Sequence, residues 1–453
     1  MNLNFLVPIL VLLAGGYFLI KLRFFFVLRP IATIKLTAGI FRNEQERRSL
    51  FLALAGTLGI GNIFGVATAI IVGGAGSVLW ILLSSFFAAA IKYAEVSVSR
   101  RDGGLMPAVR KAFGIFGRAL SDIYAVLAII LSLVMGTALQ CGSLSDFCYK
   151  AYGVPRISTA LGYLVLLLIV ARGSGSLIKN FTEKLIPLTT ICYIIATISI
   201  VLMNVSRIPT ALLAVLFDAF SPRAAIGGSV GYLVLRRINW GYCTGILSNE
   251  AGAGTSSLAH ISDGNVPKSA LGGIVEVVFD TLVLCTLTAL AILTSVEDLS
   301  VFDEGCELVL SAFYSAFGQR GIFALMLCVI SFALMTSACW YFYGVRCCEA
   351  FTPRLITPYT ALFAISAVVG SFISPTYLNV LSHTILLFMS FITVALLIKS
   401  SAAVAVPTEL DKFNINGFLK VLSRPFLRPF RKARLPLTRT GRHSRRQGRP
   451  RSQ

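Results

Sequence analysis

Residues 56–70 read GTLGIGNIFGVATAI, with Gly56, Gly59, Gly61 and Gly65 set around Asn62. They lie inside an apolar run from about 50 to 74, and roughly 20 apolar residues are what a helix needs to cross a bilayer. Each glycine weakens a helix by up to about 1 kcal/mol relative to alanine, and an amide in mid-membrane must find a partner. Close helix packing through a small-residue face, such as Gly61 with Gly65, explains part of the pattern. It asks for neither Asn62 nor four glycines in ten residues. A helix that breaks inside the membrane asks for both.

The rest of the chain agrees with a membrane setting. Of 453 residues, 56% are hydrophobic and only 13% charged, whereas a soluble domain keeps about a quarter charged. The apolar runs are too long, and alternate too little, for barrel strands. The expected fold class is an all-α integral membrane protein with eleven transmembrane helices. Their approximate bounds are 4–21, 50–74, 76–98, 120–147, 156–172, 185–204, 224–247, 269–294, 320–345, 356–374 and 377–398. The first run, Phe5 to Ile20, is similar to a signal anchor but has no basic segment before it and no clear cleavage site, so it is expected to be a mature helix. Eight of the ten cysteines lie in or beside apolar runs, without CxxC or metal spacing, and read as packing residues.

Charge gives a direction. The connections after odd-numbered spans, together with the tail from Lys399, hold 32 of the 40 basic residues. The other side has Lys150, Arg156, Arg207, Arg223 and Arg320, and an acidic loop with Glu297, Asp298, Asp303, Glu304 and Glu307. The positive-inside rule then places the N-terminus outside and the C-terminus in the cytoplasm of a cell (inner) membrane. From Lys412 the tail carries thirteen Lys or Arg and no acidic residue. It is expected to be disordered and held near anionic lipid headgroups; nothing in it presents the stacking groups of a nucleic-acid binder.

Further polar residues interrupt the spans. The seventh, GGSVGYLVLRRINWGYCTG (227–245), repeats the glycine theme and adds Arg236, Arg237 and Asn239. Two glycine-interrupted spans five positions apart point to an inverted-repeat transporter, in which broken helices present bare peptide groups to a carboxylate and a cation. Gln140 lies in the fourth span, Asp280 and Thr281 in the eighth, and Thr336, Ser337 and Trp340 in the ninth. Thr336 and Trp340, four apart, share a helical face. Trp340 reads either as a pocket wall or as an anchor at the headgroup level. Asp280 must have a partner or titrate, with a role between helices placed ahead of one in an ion site. Ser248–Asp263, SNEAGAGTSSLAHISD, reads as a polar loop whose small residues suggest a gate, with His260 as a hydrogen-bonded structural residue.

Taken together, GTLGIGNIFGVATAI, GGAGSVLW (73–80), IKYAEV (91–96), GILSNEAGAGTSSLAH (245–260), FDTLVLCTLTALAIL (279–293) and WYFYG (340–344) resemble the sodium:alanine symporter family, the alanine or glycine:cation symporters. The similarity runs in order over roughly residues 5 to 395. It implies a LeuT-type 5+5 inverted repeat with one extra N-terminal helix. Residues 1–49 would be that helix and its connection, 50–204 and 205–398 the two repeats, and 399–453 the tail. It also implies symport of a small neutral amino acid with Na⁺, or sometimes H⁺, without a cofactor. Carried over by motif, Gly59, Gly61, Asn62, Gln140, Trp240, Thr336 and Trp340 would bind the substrate, and Gly56, Thr336 and Ser337 would hold Na⁺.

The chain departs from the family at several positions. It has Ile60 for Thr, Phe64 for Ala, Thr137 for Asn and Met335 for Ser, and a shortened stretch RRDGGLMPAVRKAFG at 100–114. These changes favour the rival of a same-fold transporter with proton coupling or another small solute. A non-transporting amino-acid sensor is the second rival. No HExxH or paired-aspartate protease motif suggests an enzyme.

Overall fold

A computed structural model describes residues 6–171, 175–220, 241, 244–246, 248–260 and 266–408. The chain divides into two units, Met1–Pro407 and Thr408–Gln453. The basic tail, all but Thr408 of the second unit, lies outside the described residues, as does most of the seventh expected span with Arg236, Arg237, Asn239 and Trp240.

The described residues of the first unit form helices joined by short turns, with no strand among them. Seven of its helices are long and apolar enough to cross a membrane, and an eighth follows if the bent pair Glu44–Thr57 and Gly61–Gly73 is one span. Two other expected spans are shorter helices, Leu6–Lys21 and Arg156–Ala171. Helices Pro30–Arg42, Leu105–Phe113, Ile208–Phe220 and Gly305–Phe317 stand where the sequence reading had connections. Each is too short to span, so a window sized for a bilayer passes over it.

Local chemistry sets several boundaries. The Asn43 side chain accepts from the N–H groups of Gln45 (3.0 Å) and Glu46 (3.2 Å), capping the start of Glu44–Thr57. Pro375 begins the last long helix at a position where its missing N–H leaves no intrahelical bond unmade.

The helix Gln319–Glu349 runs through the middle of the unit. It touches Glu44–Thr57, the Gly117–Tyr152 helix, Arg156–Ala171, Gly175–Met203 and Gly305–Phe317. From Phe332 to Gly344 every residue on it is buried. A span hydrophobic on all sides is what an interior position requires. The N-terminal helix Leu6–Lys21 packs on Ser77–Arg101 and Pro375–Lys399.

Among the described residues, three π-helical turns interrupt the long helices, at Gly61–Gly65, Ser132–Ala138 and Val278–Cys285. Such turns widen the helix and free carbonyls, and they concentrate at functional sites. All three adjoin the polar residues described next.

Candidate functional site

The glycine-rich stretch breaks as its composition demands. The helix stops at Thr57, resumes at Gly61 and turns by 50° between its halves. At the break the Gly59 N–H bonds to Thr57 O, only two residues back, at 2.9 Å.

Two of the expected side chains converge on that break. A Cβ added to Gly59 would lie 3.0 Å from Thr336 Oγ1 and 3.7 Å from Gln140 Oε1. Thr336 Oγ1 itself stands 3.5 Å from Leu58 O. Gln140 donates from Nε2 to Met135 O at 3.1 Å, a carbonyl in the π-turn before it. Among the described residues, Gln140 Oε1, Thr137 Oγ1 and Trp340 Nε1 are buried and have no hydrogen-bond partner. Buried polar atoms are nearly always bonded, so these three single out the two helices as carrying unused polar groups. Gly61 is exposed and nothing lies within 4 Å of where its Cβ would be, so the break opens onto free space.

Trp340 is 0% exposed, which rules out the anchor at the headgroup level. A Cβ on Gly136 would fall 2.4 Å from Trp340 Cβ, and the indole meets Tyr343 edge-on at 5.4 Å. The ring is walled in beside the Gln140 helix.

The other expected residues are placed less simply. Gly56 packs against Cys339 and Tyr343, with its Cβ position 3.1 Å from Cys339 Sγ and 3.4 Å from Tyr343 Oη. Ser337 donates to Gly136 O at 2.5 Å and meets Tyr163 Oη at 2.6 Å. Its hydroxyl is thus occupied on the side of the fourth and fifth expected spans. Phe64 stacks on Phe147 at 6.0 Å.

Asn62 is buried, and its side chain is committed to protein partners. Its Nδ2 donates to Asp280 Oδ1 at 2.7 Å. Ser248 Oγ lies 2.6 Å from Asn62 Oδ1 and 2.5 Å from Asp280 Oδ2, and Thr281 Oγ1 donates to Asp280 Oδ2 at 3.0 Å. A hydroxyl has one proton, so Ser248 can donate to only one of its two oxygen neighbours at a time. The broken helix, the Asp280 helix and the 248–260 segment therefore meet in a knot of oxygen atoms around one carboxylate. Asn249 extends it, donating to Gly245 O (2.5 Å) and Thr281 Oγ1 (2.8 Å).

One reading of the sequence changes here. Ser248–Asp263 is not a surface loop over its described part: Asn249 to His260 is buried throughout and includes a helical turn, Thr255–Ala259. Its small polar residues look solvent-compatible in sequence but find their partners inside the protein. His260 is structural as expected, with Nε2 2.8 Å from Glu276 Oε1. Ser248, Lys92 and Glu95 escaped the sequence reading. A lysine and a glutamate three residues apart inside the apolar run 76–98 were the signal that could have found the latter two.

The family follows from comparison with known proteins. Residues 1–416 match the model of the sodium:alanine symporter family. The chain belongs to the sodium:alanine symporter family. It is 31% identical over 372 residues to an uncharacterized transporter of Bacillus subtilis, YflA, covering 77% of this chain and 78% of that protein. It is 28% identical over 367 residues to the sodium/alanine symporter AgcS of Methanococcus maripaludis, covering 75% and 80% of the two chains. A sodium/proton-dependent alanine carrier of Bacillus sp. strain PS3 is 28% identical over 347 residues, 71% of this chain and 76% of the carrier. Among solved structures, the manganese transporter of Eremococcus coleocola superposes with a TM-score of 0.52 at 12% identity, over 78% of this chain and 76% of that one. That likeness concerns the fold alone. Membership of this family, with several apolar helices of spanning length, makes the chain a multi-pass membrane transporter.

Proposed function

We propose that this transporter carries a small neutral amino acid, alanine or glycine, into the cell together with Na⁺ by alternating access. The observation that supports it most is the broken helix at Gly59, faced by Thr336 Oγ1 and by the orphaned Gln140 Oε1. The zwitterion's carboxylate meets the peptide N–H of Gly61 at the break, beside Gly59, whose own N–H is held by Thr57 O, as anions do at helix N-termini. Its ammonium meets Gln140 Oε1 and freed carbonyls, and Trp340 closes the space for a side chain. With so little room beside Gly59, small side chains are favoured.

The cation binds near the substrate, with the Leu58 carbonyl and Thr336 hydroxyl as one set of oxygens. The Asp280 carboxylate supplies the negative charge that draws it in. A hard monovalent cation takes oxygen ligands of this kind, and both ligands favour the same occluded state, so each strengthens the other. Gly56 and Ser337, assigned to Na⁺ by motif, contribute through packing and through Gly136 instead. Trp240 is retained as a pocket wall on motif alone.

The architecture goes with this reading: eleven spans, two five-helix repeats of opposite orientation at 50–204 and 205–398, and the extra helix in 1–49. The N-terminus faces outward, and the basic end from 399 lies in the cytoplasm against anionic lipid. No cofactor and no catalytic step enter the cycle.

Proton coupling is the second reading. It is favoured by Ile60 and Met335 in place of hydroxyl residues and by the engagement of Ser337 with Gly136 and Tyr163. Thermal unfolding of the purified protein separates the two. Alanine or glycine raises the midpoint in Na⁺ and not in K⁺ at constant pH if Na⁺ is the partner. Equal stabilisation in both salts removes it.

A further inference from the structure

Beyond the knot at Asp280, a second buried polar cluster surrounds the segment Ser248–His260. Its backbone takes positive φ at Glu250 (53°), Gly252 (90°) and Gly254 (81°). Alternation of this kind turns successive N–H groups to one side and forms an anion-binding nest. The resident anion belongs to the protein. Glu95 Oε1 accepts from Gly252 N–H at 2.7 Å and from Gly254 N–H at 3.2 Å, and Ser257 Oγ donates to the Glu95 carbonyl at 3.2 Å.

One turn earlier on the same helix, Lys92 completes the hold. Its ammonium donates to Ser256 Oγ at 2.7 Å and stands 3.5 Å from Glu276, which also accepts from Ser256 at 2.5 Å. Lys92 and Glu95 are both 0% exposed. Gly273 permits the contact, since a Cβ there would lie 2.7 Å from the Lys92 carbonyl carbon. At the far end of the segment Arg100 donates to His260 O at 3.3 Å.

The two clusters are joined twice. The segment begins at Ser248, which touches Asn62 and Asp280, and Glu276 and Asp280 lie four residues apart on one helix face. Buried charges in a membrane helix are costly, and plain packing would not select them. Hydrogen bonds and ion pairs, unlike apolar packing, exchange for water at small net cost. A seal that must open and close repeatedly is better made from them.

We propose that Lys92 and Glu95 are positioning residues that clamp Ser248–His260 as the cytoplasmic gate of the transport path, holding Ser248 against Asn62 and Asp280 while the gate is shut. The proposal rests on the transport reading and on its orientation. Opening withdraws the segment from Glu95 and Lys92, takes Ser248 from the site, and so links release of the cargo to loss of the oxygen knot.

The test is thiol accessibility in the full-length protein. Ser257 is fully buried, and S257C is a near-isosteric reporter. In inside-out vesicles an impermeant maleimide labels S257C slowly over the background of the parent chain. Adding E95A, which leaves the two glycine N–H groups unmatched, accelerates labelling by roughly tenfold or more, as expected when charge-assisted bonds of this strength are lost. E95Q keeps an oxygen for the same N–H groups and stays within about threefold of S257C alone, since only the charge assistance is removed. K92M, which frees Ser256, accelerates labelling as E95A does, and it decides the matter should E95A not accumulate. Labelling of E95A or K92M no faster than S257C alone, in monodisperse protein, overturns the clamp. So does E95Q labelled as fast as E95A. Because no transported solute is needed, this result is independent of whether alanine and Na⁺ are the cargo; failure of uptake would refute the transport reading and leave the labelling comparison standing.

Discussion

Replacing Asp280 by asparagine separates charge from geometry at the oxygen knot. In the wild type, Asp280 Oδ1 accepts from Asn62 Nδ2 (2.7 Å), and Oδ2 lies 2.5 Å from Ser248 Oγ and 3.0 Å from Thr281 Oγ1. In D280N the amide oxygen still accepts from Asn62. The new NH₂ faces Ser248 Oγ, which can accept and turn its own proton to Asn62 Oδ1, 2.6 Å away. The shape and the number of bonds survive, and the loss is that of charge assistance. Hydrogen bonds to charged groups are worth about 1.5–3 kcal/mol against about 1 for neutral ones, a loss of about 0.5–2 kcal/mol for each bond, which the lower cost of burying a neutral amide offsets. A cation drawn to the carboxylate loses the attraction of a full unit charge, and every 1.4 kcal/mol of it is about tenfold in affinity. The assay is uptake of labelled alanine into proteoliposomes against Na⁺ concentration, with thermal unfolding alongside. D280N should unfold within a few degrees of wild type while its half-saturating Na⁺ rises at least about tenfold. D280A, which strands Asn62 Nδ2 and the Thr281 hydroxyl proton, should be poorly folded at a cost of about 1–3 kcal/mol per orphaned group. A D280N protein with wild-type Na⁺ dependence would refute the carboxylate's part in cation binding.

Other outcomes follow from single contacts. G136A drives a methyl to 2.4 Å from Trp340 Cβ, so it should lower the unfolding midpoint and the uptake rate together. Q140A removes the orphaned Oε1 and also the Nε2 bond to Met135 O; half-saturating alanine should rise by about tenfold or more, the worth of one hydrogen bond to a charged ammonium, while the fold loses about 1 kcal/mol with the Met135 bond. F64A unstacks Phe147 and should admit larger neutral amino acids, measured by competition against labelled alanine. A chain ending at Pro407 should retain uptake in neutral-lipid vesicles if the basic tail only holds the protein near anionic headgroups.

What the sequence disclosed was chiefly what a bilayer makes expensive. The Gly56–Gly65 cluster with Asn62 announced a break, and the 50° bend is there. Gln140 and Thr336 stood out as polar residues in apolar runs, and they do meet at Gly59. Partnership was harder to see. That Asn62 would spend its amide on Asp280, or Ser337 its hydroxyl on Gly136 and Tyr163, depends on contacts between residues up to 218 positions apart. The segment after Ser248 misled for a related reason. Glycine, serine and alanine suit a surface turn as well as a tightly packed interior, and only its neighbours Glu95 and Lys92 decide between them. The helices Ile208–Phe220 and Gly305–Phe317 were passed over because thirteen residues fall short of a span.

Alanine uptake into sealed proteoliposomes under an imposed Na⁺ gradient, with pH and membrane potential clamped, is the most direct measurement. Accumulation that requires inward Na⁺, collapses when K⁺ replaces it, and weakens in Q140A is the predicted result. Accumulation indifferent to Na⁺, or no movement of alanine or glycine under any gradient by protein that remains folded, would contradict the account.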